Sequence, residues 1–113
     1  RAVLTKGYNL PAEYVIHTIG PVVTGRLNET LKAELSSCYR NVLECCVKNG
    51  ISSVAFCCIS TGEFHFPNRE AAEIAVKTVT QFLEINVKSF ERIIFNVFKD
   101  VDRTLYEREI KKL

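Results

Sequence analysis

Apolar positions change period several times along the chain, and each change predicts an element. Residues 2–5 (Ala-Val-Leu-Thr) read as the end of a short strand, closed by a turn that Gly7, Asn9 and Pro11 punctuate. Residues 14–19 (YVIHTI) read as a second β segment, ended by Gly20-Pro21. Alternation places Val15, His17 and Ile19 on one face and Tyr14, Ile16 and Thr18 on the other. A loop over 22–27 follows. From Asn28 to Asn49 the residues Leu31, Leu35, Cys38, Tyr39, Val42 and Cys46 keep the i, i+3/i+4 rhythm of an amphipathic helix. Asn28 is suited to cap its start, and Asn49-Gly50 to stop it.

The next run, Val54-Ala55-Phe56-Cys57-Cys58-Ile59, is apolar without alternation and reads as a strand buried on both faces. It breaks at Ser60-Thr61-Gly62. A helix is then expected from Asn68, its cap, to about Ile85-Asn86, with Glu70 in the first turn and Ala71, Ala75, Thr78, Val79 and Phe82 inward. Residues 90–98 (FERIIFNVF) form another strong strand. Asp100 is then expected to cap a last helix that buries Leu105, Tyr106, Ile110 and Leu113. The order β-β-α-β-α-β-α implies an α/β fold with a largely parallel sheet and right-handed crossovers. Ligands in such sheets bind at the carboxyl ends of the strands. Two ends carry interesting residues, Ser60-Thr61-Gly62-Glu63-Phe64 and Phe98-Lys99-Asp100.

A strand, a short Ser/Thr/Gly loop and a helix start together make an anion site. Free backbone N–H groups and the positive end of the helix dipole face the loop, and Gly62 lets a ligand approach the backbone. The same residues also make an ordinary βα turn, with Gly62 easing the bend and the hydroxyls capping backbone groups, so both readings are open on pattern alone. An aromatic at Phe98 is able to stack on a base, and equally to close the core at the strand's edge. His17 among β-branched neighbours reads as a hydrogen-bonded core residue ahead of a general base. Glu63 and His65 read as solvent-facing loop residues ahead of an acid or base pair.

Composition narrows the function classes. At 113 residues the chain holds one domain at most. A net charge of +2 without a Lys/Arg cluster gives no footprint for nucleic acid. No apolar run reaches the roughly 18–20 residues of a membrane span, and no signal peptide is visible. The five cysteines include no C-x-x-C pair and sit at helix and strand positions, which favours a reduced, cytoplasmic protein over a disulfide scaffold. The chain has no methionine; upstream residues are therefore inferred to be absent. Cysteine phosphatase chemistry wants C-x5-R, but counting from Cys57 lands on Glu63 and from Cys58 on Phe64. Neither a P-loop nor a G-x-G-x-x-G occurs.

Four stretches together, GYNLPAEYVIHTIGP, the Cys38-Tyr39 pair in a Leu-rich helix, AFCCISTGEFHFPNREAAEIAV and RIIFNVFKDVDRTLYE, resemble the C-terminal part of a macro domain, in the right order over nearly the whole chain. The resemblance implies a three-layer α/β/α fold with its N-terminal strands missing from this chain, so that residues 1–113 form the C-terminal portion of a single macro domain. It implies binding of ADP-ribose or ADP-ribosylated protein, as part of a mono-ADP-ribosyl-protein hydrolase or O-acetyl-ADP-ribose deacetylase. Alternatives are a non-catalytic ADP-ribose reader, an ADP-ribose 1″-phosphate phosphatase and a fold kept for protein contacts. Ser60, Thr61, Gly62, Glu63 and Phe64 match the loop that holds the diphosphate and distal ribose, and Phe98 matches the aromatic against the adenosine. His65 departs from the pattern by standing where the family commonly has a second glycine, so its side chain either touches the ligand or turns away. The spelling CCISTGEFHFP is similar to the bacterial, zinc-containing subclass linked to sirtuin operons. The subclass's zinc ligands and the family's catalytic loop lie upstream, so no catalytic or metal-binding residue is assigned here. An unpaired strand edge, self-association or pairing with the missing N-terminal part is expected of a chain so placed.

Overall fold

In the computed structural model, the described residues are 2–7, 12, 14–86, 88–97 and 99–113. Four strands and three helices follow the predicted order: β1 (Ala2–Lys6), β2 (Tyr14–Thr18), α1 (Glu29–Lys48), β3 (Ser53–Phe56), α2 (Asn68–Ile85), β4 (Arg92–Phe95) and α3 (Asp100–Lys111). Strand β1 pairs antiparallel with β2, Leu4 opposite Ile16, whereas β3 pairs parallel with β4, Phe56 opposite Phe95. The first pair departs from the largely parallel sheet that alternation predicts. Lys6 and Tyr14 are close in sequence, and so short a connection returns the chain antiparallel. Most of the turn predicted at 7–12 lies outside the described residues.

Helix α1 begins as its sequence dictates. The Asn28 side-chain oxygen accepts from Leu31 N–H at 2.9 Å, and Gly50 leaves the helix at φ 67°. Its inward stripe, Leu35, Cys38, Tyr39, Val42, Leu43 and Cys46, is buried. The inner face of α2 is also as predicted, with Ala71, Ala72 and Ala75 sealed in the core. Helix α3 is different. Tyr106 is buried, but Ile110 and Leu113 are 47% and 72% exposed because the helix reaches past the core it packs on.

Both remaining cap assignments are also corrected. Asn68 and Asp100 are the first helical residues, behind Pro67 and Lys99, and neither makes a side-chain cap bond. Instead the Asn68 side-chain amide donates to the Asp102 carboxylate at 2.5 Å, joining the start of α2 to the start of α3. That bond satisfies a carboxylate that is only 5% exposed.

A column of aromatics connects the layers. Tyr39 of α1 meets Phe56 at 5.1 Å between ring centroids, Phe56 meets Phe95 at 5.9 Å, and Phe95 meets Tyr106 of α3 at 5.1 Å. Helix α2 packs between α1 and α3, and the aromatic column sets α1 and α3 against the Phe56–Phe95 face of the β3–β4 pair. Ser53, Ala55, Arg92 and Ile94 are on the other face and exposed. The reading of a strand buried on both faces therefore fails within these residues: one face carries the helices and nothing described covers the other. The strand also stops at Phe56, where the chain turns toward the Ser/Thr/Gly loop. His17, expected in the core, is exposed and shares a 2.8 Å hydrogen bond with the Thr5 hydroxyl across the β1–β2 pair.

Among the described residues no helix is long and apolar enough to cross a membrane. All five cysteines are free; Cys38 and Cys46 are buried as small apolar groups, whereas Cys57 is exposed.

Candidate functional site: the loop between β3 and α2

After Phe56 the chain turns sharply. Ser60 adopts φ 66° and Gly62 φ 77°, both left-handed, and residues Gly62–Phe64 form a short 3-10 turn. His65 ends that turn at φ 60°, ψ 20°, and its N–H returns to the Gly62 carbonyl at 3.0 Å. The position where the family pattern commonly has glycine thus needs a left-handed backbone, which histidine adopts here at a cost of about 1–2 kcal/mol. Its side chain is exposed.

The loop is anchored from several sides. Phe66 is 1% exposed, and its N–H donates to the Ser60 carbonyl at 3.0 Å, closing the loop at its base. Ile59 is buried beneath it, and the Thr61 hydroxyl donates to the Cys58 carbonyl at 3.2 Å. The Val23 N–H donates to the Phe64 carbonyl at 2.8 Å, tying the loop to the segment after β2. Gly20 lies against the same loop: a Cβ there would run into the Ser60 hydroxyl and come within 2.6 Å of Ile59 Cγ2. Ser60 is turned into this contact, 7% exposed, and its hydroxyl has no hydrogen-bond partner among the described residues.

Two consequences follow for binding. The Thr61, Gly62 and Glu63 N–H groups have no backbone acceptor among the described residues, as expected at the front of a helical turn. Shortly beyond, α2 presents the positive end of an 18-residue helix. Around Gly62 nothing stands within 4 Å of where a Cβ would be, so its backbone faces open space. The arrangement is built to accept an anion on main-chain donors.

The thiol and phenols buried beneath the loop are poor nucleophiles. Burial pushes the Cys58 thiol above its ordinary pKa, with the Asp102 charge adding to the effect, so the thiolate is disfavoured. Burial raises the Tyr39 and Tyr106 phenols as well, and they stay protonated. Among the described residues no three His, Cys, Asp or Glu side chains gather to hold a metal. The zinc of the resembling subclass therefore finds no ligand set in them.

Of the residues singled out in the sequence, Ser60, Thr61, Gly62, Glu63, Phe64 and His65 stand together on this one loop. Phe98 lies outside the described residues; its neighbour Val97 is half-buried against the core and Lys99 leads into α3. Sequence reasoning paired the loop with the end of β4 and missed Gly20-Pro21 and Val23. The signal was available: Gly20-Pro21 ends a strand at the same carboxyl edge, where loops converge.

Comparison with known proteins places this geometry. The family model "Macro domain" matches residues 1–75. Human ADP-ribose glycohydrolase MACROD2 is 46% identical over 111 residues, covering 98% of this chain and 26% of that protein. A Staphylococcus aureus protein-ADP-ribose hydrolase is 44% identical over 116 residues, covering 99% of this chain and 42% of that protein. Among solved structures, the Trypanosoma brucei macrodomain in complex with ADP-ribose superposes with a TM-score of 0.88 at 38% identity, over 96% of this chain and 44% of that one. The Oceanobacillus iheyensis macrodomain with ADP gives 0.89 at 33% identity, over 98% and 57%. The chain spans less than half the length of these curated relatives. On the strength of the family match and of these relatives, the chain belongs to the macro-domain family.

Proposed function

We propose that residues 1–113 are the C-terminal portion of a single macro domain, and that this portion supplies the ADP-ribose diphosphate and distal-ribose wall of a protein mono-ADP-ribosyl hydrolase or O-acetyl-ADP-ribose deacetylase. In this reading the backbone of Ser60, Thr61, Gly62, Glu63 and Phe64 holds the diphosphate and ribose, His65 stands beside it, and Phe98 lies against the adenosine. The observation that carries the reading is the loop backbone, left-handed at Ser60 and Gly62 on either side of an extended Thr61. It leaves three N–H groups without backbone acceptors just ahead of the N-terminus of α2. Names of the relatives, ADP-ribose glycohydrolase and protein-ADP-ribose hydrolase, support the same substrate.

The loop's share of catalysis is positional. Main-chain donors fix the diphosphate, and the fixed diphosphate orients the distal ribose toward a water. No residue of this chain is assigned to attack, and the chemistry is completed by groups outside these 113 residues. Thiolate chemistry is disfavoured by the missing C-x5-R arginine and by the burial that keeps Cys58 protonated; a phosphatase acting on ADP-ribose 1″-phosphate is an alternative that phosphate release from that compound would reveal. A non-catalytic reader is the second reading, in which the loop holds ADP-ribose or an ADP-ribosylated protein without hydrolysing it. The bacterial origin rests on the CCISTGEFHFP spelling alone, and the cytoplasmic setting on the free thiols.

The experiment is ADP-ribose release from a mono-ADP-ribosylated protein, run with the complete domain and with Gly62→Val. Release by the parent, lost in the variant, supports the hydrolase. Binding without release means a reader, and neither in the parent refutes the assignment.

A further inference from the structure

The fully buried residues of α3 are Asp102 and Tyr106, and both bring polar groups into the interior. They stand one helical turn apart on the same face. Each reaches one limb of the loop between β3 and α2. The Asp102 carboxylate accepts the Asn68 side-chain amide at 2.5 Å, and Asn68 follows closely on Phe66, whose N–H closes the loop on the Ser60 carbonyl. The Tyr106 hydroxyl lies within hydrogen-bonding reach of the Cys58 thiol, just ahead of Ser60 in the chain. The Cys58 carbonyl in turn accepts the Thr61 hydroxyl at 3.2 Å.

We propose that α3 clamps the anion loop from beneath, Tyr106 holding the loop's entry at Cys58 and Asp102, through Asn68, its exit into α2. Both are positioning residues, acting on a ligand through the loop. The clamp rests on the reading proposed above, that this loop holds the ADP-ribose diphosphate, and it adds what sets the loop's geometry.

The loop needs such a hold. Ser60 and His65 are non-glycine residues in left-handed backbone, a conformation that persists only where the surroundings over-determine it. The proposed donors, the Thr61, Gly62 and Glu63 N–H groups, lie between the two clamped limbs, so their directions are fixed only as well as the limbs are. The choice of side chains points the same way. Apolar residues at 102 and 106 would supply cohesion without the cost of burying polar groups, whereas a hydrogen bond also fixes an orientation. The site suits a carboxylate as well. Asp102 lies in the first turn of α3 and bonds the first residue of α2, so the positive ends of both helices meet at its charge. Loosening either limb should therefore cost anion affinity beyond what it costs the fold.

Calorimetric titration of ADP-ribose into the complete domain tests the clamp, with thermal unfolding measured on every variant. Asn68→Ala and Asp102→Ala are each expected to weaken binding by about tenfold in a protein that remains folded. The half-buried Asn68 carries this arm alone if Asp102→Ala does not fold. The double variant should bind no more weakly than the worse single one, because both remove the same bond. Asp102→Asn keeps an oxygen for the Asn68 amide and should restore affinity to within about twofold of the parent. Tyr106→Phe keeps its ring against Phe95, loses only the hydroxyl, and should weaken binding by about threefold. Val79→Ala is the control for stability alone. It opens the core roughly three turns along α2 from Asn68, and should lower the melting temperature while leaving affinity unchanged. Parental affinity in folded Asn68→Ala, Asp102→Ala or Tyr106→Phe overturns the clamp, as does an equal loss of affinity in Val79→Ala. A parent that binds no ADP-ribose refutes the functional reading itself, and the clamp with it.

Discussion

Gly20 and Gly62 serve the loop in opposite ways. At Gly20 the constraint is space, since a Cβ would occupy the volume of the Ser60 hydroxyl. Gly20→Ala is expected to cost about 1–3 kcal/mol through overpacking and to displace the loop. Gly25→Ala is the control, because nothing lies within 4 Å of its Cβ position. Urea unfolding of the two variants checks the pair, and equal midpoints would show that the Gly20 contact yields freely. At Gly62 the constraint is the left-handed backbone, and the space beyond is open. Gly62→Val should cost about 1–2 kcal/mol of stability and keep the fold. Its side chain would project to the side where the diphosphate is proposed to lie. His65 is strained in the same region, yet its side chain is exposed. Relief of that strain in His65→Gly is offset by the freedom glycine gains in the unfolded chain, so the melting temperature should barely move.

Elements were legible where local chemistry decides them. The rhythm of Leu35, Cys38, Tyr39, Val42 and Cys46 and the Asn28 cap define α1 without help from the rest of the chain. Asn28→Ala should therefore cost about 1 kcal/mol in thermal unfolding, and no loss would mean the cap is dispensable. Asn68 and Asp100 look the same in sequence, but tertiary structure overrides them, because Asn68 turns to Asp102 on a distant helix. No local pattern reports a bond across 34 positions. The second covered face of β3 was misread for a related reason. An apolar run states that burial is needed and does not say which segment supplies it.

Burial in α1 also sets a pH dependence. Removal from water pushes the Cys46 thiol from 9.0 up to about 11. The unfolded chain then loses its proton first, so this contribution to stability is complete below pH 9 and declines as pH rises toward 11. The raised Tyr39 and Tyr106 phenols act in the same direction above pH 10. Melting temperatures measured from pH 8 to 11 should fall progressively, less steeply in Cys46→Ala, and a flat profile in the parent would contradict the burial argument.

At the scale of the whole molecule, a macro-domain arrangement survives in a chain matching 57% of a solved relative, with a TM-score of 0.89. What the helices, ladders and loop hold in common is one direction: the carboxyl ends of β2 and β3 meet at Ser60-Thr61-Gly62, and α2 starts just beyond. The loop's six residues could be read from the sequence because they are contiguous. For Gly20 the strand end at Gly20-Pro21 marks the carboxyl edge, but only the folded chain shows that Gly20 and Val23 touch residues some forty positions away. The cavity between β2 and β3 was foreseeable only as an unpaired strand edge, without its place. The central claim is that this loop binds the ADP-ribose diphosphate. Its most direct test is calorimetric titration of ADP-ribose into the complete domain, parent and Gly62→Val side by side. Saturable binding at one site in the parent, abolished in a folded Gly62→Val, is the predicted result; unchanged affinity in the variant would place the nucleotide elsewhere.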